Sequence, residues 1–186
     1  MQFRLLPIVA SCVLGLLGCH AHRDVPAPVA VVTPATVELH TPRAGLYTAG
    51  QPAASDWAAI AARGIGTVVN LRTPGEMDGR DEAAEVRAAG MRYVAIPVAG
   101  AEGVNEANAR RLGEVLRAVE GPVLVHCASG NRAGGVLALM AARDEGLPAE
   151  QALALGRAAG MTSTEARVRA ALDAPCVSPA AGARCP

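Results

Sequence analysis

Cys127 and Arg132 are the residues whose types and spacing most directly suggest chemistry. They enclose a short run of small residues that leads into a predicted helix. A thiol at a helix N-terminus is favoured as the thiolate, which is the nucleophilic form. An arginine presents a planar fork of N–H donors that matches a tetrahedral oxyanion. The pattern therefore predicts covalent catalysis by Cys127, with Arg132 stabilising the charge of a bound oxyanion.

The residues between these two are predicted to form the oxyanion-binding loop. Small side chains let several backbone N–H groups converge on one point, and the helix N-terminus adds positive potential. The alternative is that Cys127 is a buried, unreactive thiol. That alternative explains neither the composition of the loop nor the arginine at its end. The predicted loop residues are Ala128, Ser129, Gly130 and Asn131.

Nearby polar residues could support this loop. His126 either bonds to the loop and orients the thiol, or packs at the end of a strand. Arg72 and Glu76 either pair with each other and shape the site, or Arg72 contacts the substrate. Glu102 or Glu106 could protonate a leaving group. The simpler interpretation of both is a solvated surface position, where Glu106 complements a helix dipole.

Alternating strands and helices must position these residues. Strands are predicted at 46–48, 67–71, 93–96 and 123–126, and helices lie between and after them. This order predicts an α/β domain with a central, mostly parallel sheet of about four strands flanked by helices. Parallel sheets place their sites at the carboxyl ends of the strands, where Cys127 follows the last predicted strand.

The stretch around the loop resembles a known family. His126-Cys127-x-x-Gly130 resembles the phosphate-binding loop of protein tyrosine and dual-specificity phosphatases. More closely, the chain resembles the bacterial beta-lactamase-hydrolase-like phosphatase domain family over about residues 45–162. The resemblance implies a cysteine-phosphatase-like fold, a small oxyanion or phosphorylated substrate, and a place for Gln51 at the border of the site. The further matching segments are Gly50-Gln51-Pro52, 64–72, 90–98 and 121–127.

Two departures from the phosphatase pattern bear on function. Four residues separate Cys127 from Arg132, where phosphatases have five. A six-residue loop resembles rhodanese-like sulfurtransferases, which work through a cysteine persulfide. Phosphatases also use an aspartate to protonate the leaving oxygen, and no Asp occurs between Asp81 and Asp144. The leading prediction is a cysteine-dependent phosphatase-like hydrolase with a covalent cysteinyl intermediate. The alternatives are a sulfurtransferase and a non-catalytic anion-binding module.

The N-terminus has the form of an export signal. Residues 1–18 have a short basic start and an apolar run, which is typical of a signal peptide. Leu16-Leu17-Gly18-Cys19 resembles the bacterial lipobox, which implies cleavage before Cys19 and lipidation of its thiol. We expect a lipoprotein of the bacterial cell envelope that faces the periplasm, and His20 favours the outer membrane. Residues 19–45 are predicted as a lipidated cysteine with a Pro-rich tether, 46–172 as the folded domain and 173–186 as a tail.

Composition excludes several classes of function. The formal net charge is zero and only four residues are aromatic, so we expect no nucleic-acid binding. The sequence has no Cys/His zinc spacing, Walker loop or dinucleotide fingerprint, so we expect neither a metal nor a cofactor. Cys176 and Cys185 could form a disulfide in an oxidising envelope.

Overall fold

A five-stranded sheet forms the centre of the computed structural model, which describes residues 35–174. The sheet order is β1-β2-β5-β3-β4, and β1 is antiparallel to β2 while the other pairs are parallel. The predicted α/β class with a mostly parallel sheet is confirmed, with five strands instead of about four. The strands are β1 (Leu39–Arg43), β2 (Leu46–Ala49), β3 (Thr67–Asn70), β4 (Arg92–Ala95) and β5 (Val123–His126).

Helices cover both faces of this sheet. Side chains of a strand alternate between its faces, so Val125 packs in one apolar cluster with α3 and α4, while Leu124 packs in another with Trp57. The same alternation separates His126, which lies against Trp57, from Cys127, which lies in the cluster with α4. The helices are α1 (Trp57–Ala62), α2 (Glu82–Ala88), α3 (Glu106–Ala118), α4 (Asn131–Arg143), α5 (Ala149–Ala158) and α6 (Glu165–Asp173).

Strand β1 lies within the segment that the sequence assigned to the tether. Leu39 pairs with Ala49 and His40 pairs with Thr48. The prediction of a tether is therefore wrong for residues 39–45, and the folded domain begins before residue 39. The predicted signal peptide, Cys19, the tether up to residue 34, Cys176 and Cys185 lie outside the described residues.

None of the helices within residues 35–174 is long and apolar enough to cross a membrane.

Close packing of α4 against α5 depends on glycine. A Cβ placed on Gly134 would lie 2.5 Å from the carbonyl oxygen of Gly156 and 2.5 Å from the backbone nitrogen of Met161. Both are backbone atoms, so a side chain there must push the two helices apart. This packing fixes α4, whose first turn directly follows the predicted loop.

We expect Gly134→Ala to lower the free energy of unfolding by about 3 kcal/mol, because overpacking forces the backbone to shift. Urea denaturation of the wild type and the variant measures the difference. Gly66→Ala is the matched control, since a Cβ on that exposed glycine meets no atom within 4 Å. Equal destabilisation by the two variants would contradict the close approach of α4 and α5.

Candidate active site

The thiol of Cys127 lies at the carboxyl edge of the sheet, immediately after β5. The residue is only 1% exposed. Its Sγ accepts a hydrogen bond from the backbone N–H of Gly130 at 3.2 Å. Gly130 has φ 86°, which is a left-handed conformation that glycine adopts readily, and it precedes the first residue of α4. The chain therefore turns back over the sulfur before the helix begins.

The loop presents unused backbone donors. Within residues 35–174, four N–H groups of the stretch from Ala128 to Arg132 have no hydrogen-bond acceptor. The loop is held from behind, because the N–H of Gln51 donates to the carbonyl of Ala128 at 3.1 Å and Gly50 pairs with Ser129. Free N–H groups at a helix N-terminus form an anion-binding site. The four groups belong to Ala128, Ser129, Asn131 and Arg132.

Arg132 is oriented by neighbouring acceptors. Its Nη1 donates to Glu76 Oε2 at 2.9 Å and to the carbonyl of Val98 at 2.6 Å, and its Nη2 donates to Glu76 Oε1 at 2.5 Å. The hydrogen bond with Glu76 raises the pKa of Arg132; burial opposes this, and the neighbouring sulfur of Cys127 raises it further. Of the five N–H groups of the guanidinium, two remain for an oxyanion.

Glu76 acts as the counter-ion of this arginine. Its carboxylate also accepts from the N–H and the hydroxyl of Thr73, at 2.9 and 3.0 Å. The hydrogen bond from Arg132 is the largest cause that lowers the pKa of Glu76, to about 2. Glu76 is therefore ionised at neutral pH, and it is unsuited to donate a proton.

Arg72 connects Glu76 to the end of β2. It donates to Gln51 Oε1 at 2.6 Å and to the backbone carbonyl of Glu76. Its Nε lies 3.8 Å from Glu76 Oε1, so the predicted Arg72–Glu76 pair is present. Contact of Arg72 with substrate stays a prediction.

His126 and Glu82 form a buried pair that the sequence did not reveal. His126 Nε2 lies 3.0 Å from Glu82 Oε1, and the two residues are 0% and 2% exposed. Gln51 Nε2 donates to Glu82 Oε2 at 2.5 Å. Burial raises the pKa of Glu82, but the hydrogen bonds from His126 and Gln51 bring it below its usual value. The structure shows His126 packed at the strand end, and its orienting of the thiol stays a prediction.

The side chain of Asn131 connects the loop to the turn before α6. Its Oδ1 accepts from the N–H groups of Thr162 and Thr164, at 2.8 and 3.1 Å. Its Nδ2 donates to Ser163 Oγ at 2.7 Å. Because the amide is engaged within the protein, the predicted contact of Asn131 with an oxyanion rests on its backbone N–H.

Both candidate proton donors have arginine partners. Glu102 lies 3.5 Å from Arg167, and its side chain is 85% exposed. Glu106 lies 2.9 Å from Arg143. Protonation of a leaving group by either carboxyl stays a prediction.

A cavity of about 390 Å³ opens near this network. Its lining includes Asn70, Arg72, Glu82 and Tyr93. Two of these lining residues, Arg72 and Glu82, also take part in the hydrogen bonds around the loop. Residues 35–174 hold no group of three His, Cys, Asp or Glu side chains arranged to hold a metal ion.

Comparison with known proteins identifies the family. Residues 38–144, more than half of the chain, match the family described as "Beta-lactamase hydrolase-like protein, phosphatase-like domain". The chain belongs to this family.

Relatives of this phosphatase-like domain are much longer proteins. A beta-lactamase hydrolase-like protein of Xylella fastidiosa is 37% identical over 119 residues, which are 62% of this chain and 27% of that protein. A protein of the same name from Agrobacterium fabrum is 38% identical over 92 residues, which are 47% of this chain and 21% of that protein. The chain thus spans about a quarter of the length of the curated relatives it matches.

Solved structures of phosphatases share the fold of this domain. TpbA of P. aeruginosa in complex with pTyr has a TM-score of 0.57 at 25% identity, and the match covers 81% of this chain and 91% of that chain. Tk-PTP in the active form has a TM-score of 0.54 at 23% identity, covering 73% and 95%. The predicted cysteine-phosphatase-like fold of the phosphatase-like domain is confirmed.

The ion pair of Glu76 should make stability depend on pH. The pKa of Glu76 falls from 4.5 to about 2 on folding, so its contribution is present above pH 4.5 and is lost as the pH falls towards 2. We expect the stability difference between the wild type and Glu76→Gln to shrink between about pH 6 and about pH 3. Urea denaturation across this range measures it. Glu120→Gln, at an exposed position, is the control, and a constant difference for Glu76→Gln would contradict the ion pair.

Proposed function

We propose that this domain is a cysteine-dependent hydrolase of phosphate esters. The observation that carries the proposal is the position of the Cys127 sulfur at the base of a loop with four unused N–H groups, beside the guanidinium of Arg132. Donors fixed in advance at the place where charge develops stabilise a transition state more than the ground state. A phosphoryl group fits this arrangement because its three non-bridging oxygens can be shared among the amides and the arginine.

The proposed reaction has two steps. The Cys127 thiolate attacks phosphorus, so that an S–P bond forms while the ester P–O bond breaks and the alcohol oxygen leaves with the electron pair. Water then attacks the phosphocysteine, which releases inorganic phosphate and restores the thiolate. The loop amides and Arg132 hold the phosphoryl oxygens in both steps. The structure of TpbA with pTyr, at 25% identity, supports a phosphorylated substrate for a protein of this fold.

The acidity of the leaving group should control the rate. Glu76 is ionised, and Glu102 and Glu106 face arginines, so we propose that none of these three carboxyl groups protonates the leaving oxygen. We expect kcat/KM for 4-nitrophenyl phosphate to exceed that for phenyl phosphate by about 10²-fold, the size of a general-acid contribution. Steady-state assays of the two esters measure this, because kcat/KM reports the first transfer step. Equal values would show that an acid is present.

Sulfur transfer is the second candidate function. Two observations favour it: the six-residue loop, and the arginine partners of the candidate acids. In this reaction the Cys127 thiolate attacks the outer sulfur of thiosulfate, an S–S bond forms, and sulfite leaves with the electron pair. Cyanide then takes the outer sulfur of the persulfide as thiocyanate and restores the thiolate. Sulfite needs no proton to leave, so this reaction does not depend on a carboxyl group that protonates the leaving group.

One experiment separates the candidates. Purified protein receives an aryl phosphate in one sample and thiosulfate with cyanide in another, and mass spectrometry identifies the modification of Cys127. Phosphate release without a persulfide supports the hydrolase. Thiocyanate formation with a persulfide on Cys127 overturns it in favour of the sulfurtransferase. Binding of phosphate with neither turnover points to an anion-binding module.

A further inference from the structure

A series of hydrogen bonds runs from His126, just before the loop, to Arg132 at the loop's end. Glu82 is the buried carboxylate that follows His126 in this series. We infer that Glu82 is a positioning residue that sets the direction of Arg132 and holds the end of the strand that carries Cys127. This inference rests on the proposed function for the oxyanion site that it concerns, and its test needs no turnover. Nothing in the sequence marks Glu82, which lies 44 positions before His126.

Glu82 fixes which group donates and which accepts at the neighbouring hydrogen bonds. Glu82 is a carboxylate that only accepts, so His126 Nε2 must donate to its Oε1, while Gln51 Nε2 donates to its Oε2. The carbonyl oxygen of Gln51 is thereby turned towards Arg72, which donates to it at 2.6 Å. Arg72 in turn holds the backbone carbonyl of Glu76, whose carboxylate binds Arg132. The orientation of each group depends on the one before it.

Burial makes this arrangement of donors and acceptors hard to change. Glu82 is 2% exposed and His126 is fully buried, so water cannot replace a lost partner at that end. In a site of low dielectric a mismatched donor costs more than in water, because the group has no alternative partner. The series also reaches the loop directly, since the N–H of Gln51 donates to the carbonyl of Ala128. The guanidinium of Arg132 is held by Glu76 and by the carbonyl of Val98, so its direction depends on these contacts outside the loop.

The isosteric change Glu82→Gln replaces one accepting oxygen by a donating NH₂ group and keeps the shape of the side chain. The new amide oxygen can still accept from His126, but its NH₂ then faces the NH₂ of Gln51. Gln51 relieves that clash by turning its own amide, and it then presents NH₂ to the guanidinium of Arg72. Adding Gln51→Glu restores the order, because the carboxylate introduced at position 51 accepts from both the new amide and Arg72. The double variant loses only the bond from Gln51 to the carbonyl of Pro52.

The test compares four full-chain proteins: the wild type, Glu82→Gln, Glu82→Gln with Gln51→Glu, and Glu85→Gln. Glu85 lies in the same helix and binds Arg80 and Trp57, so its change removes a charge outside the chain of hydrogen bonds. Inorganic phosphate protects Cys127 from iodoacetamide in proportion to its binding, and mass spectrometry of the Cys127 peptide measures that protection. Thermal melting of each protein is recorded alongside.

We expect Glu82→Gln to need about tenfold more phosphate for half protection, the effect of one hydrogen bond to a charged group. The phosphate concentration for half protection should return to within about threefold of the wild-type value in the double variant. Glu85→Gln should have the wild-type value. Phosphate protection in Glu82→Gln equal to that of the wild type, or no recovery in the double variant, would overturn the inference. The readout needs no turnover, so a wild type that binds phosphate but does not hydrolyse aryl phosphate would refute only the proposed function.

Discussion

Replacing Cys127 with serine is expected to lower kcat for aryl phosphates by at least roughly 10³-fold, because removal of a nucleophile leaves only the contribution of binding. A hydroxyl is a far weaker nucleophile than a thiolate at neutral pH. The substitution is nearly isosteric, and a serine oxygen can still accept from the N–H of Gly130. The loss should therefore be in turnover and not in folding.

Phosphate binding provides the control for this variant. The loop amides and Arg132 remain in Cys127→Ser, so the Kd for inorganic phosphate should stay within about threefold of the wild-type value. Calorimetry of phosphate binding and circular dichroism of the variant check both points. Turnover at the wild-type rate in Cys127→Ser would show that the thiol is not the nucleophile.

Arg132→Lys is expected to lower kcat/KM by about 10²-fold, the usual effect of removing a donor from an oxyanion site. Three N–H groups of Arg132 bind Glu76 and Val98, and this leaves two directed away from them. An ammonium is a point charge with three donors, so it cannot satisfy both Glu76 oxygens, the carbonyl of Val98 and a substrate together. The loss should appear mainly in kcat, because the charge of the bound oxyanion grows in the transition state.

Arg157→Lys is the control for the arginine. Arg157 pairs with Glu165 on the surface of α5, with 44% of its side chain exposed, and lies outside the hydrogen bonds around the loop. Its change should leave kcat/KM within about twofold of the wild type, as expected for an exposed ion pair. Steady-state kinetics on 4-nitrophenyl phosphate measure both variants. Equal effects of the two changes would contradict a specific role for Arg132.

Local sequence patterns were sufficient for most elements of the fold. Strand β5 is an apolar run bounded by Gly121-Pro122 and the loop, and its length is that of a buried strand. The first strand escaped prediction because Pro42 and Pro34 lie in or near it, and proline usually breaks a sheet. An edge strand tolerates proline, since one side of it needs no partner. The register of β1 with β2 shifts between His40 and Arg43, and this irregularity accommodates Pro42.

The loop itself was predictable because Cys127, its small residues and Arg132 are contiguous. The partners that orient it were not, since Glu76 lies 56 residues from Arg132 and Glu82 lies 31 residues from Gln51. A glutamate at the first turn of a helix has the pattern of a residue that complements the helix dipole. Only the folded arrangement of α2 and the end of β5 shows that Glu82 is buried against His126.

Trapping of the covalent intermediate tests the central claim most directly. The wild type is mixed with an aryl phosphate, quenched with denaturant within the first turnover and digested for mass spectrometry. The account predicts one phosphoryl group on the peptide that contains Cys127, and none in Cys127→Ser treated in the same way. Phosphate release with no phosphorylated Cys127 peptide at any quench time, together with retained turnover in Cys127→Ser, would contradict it.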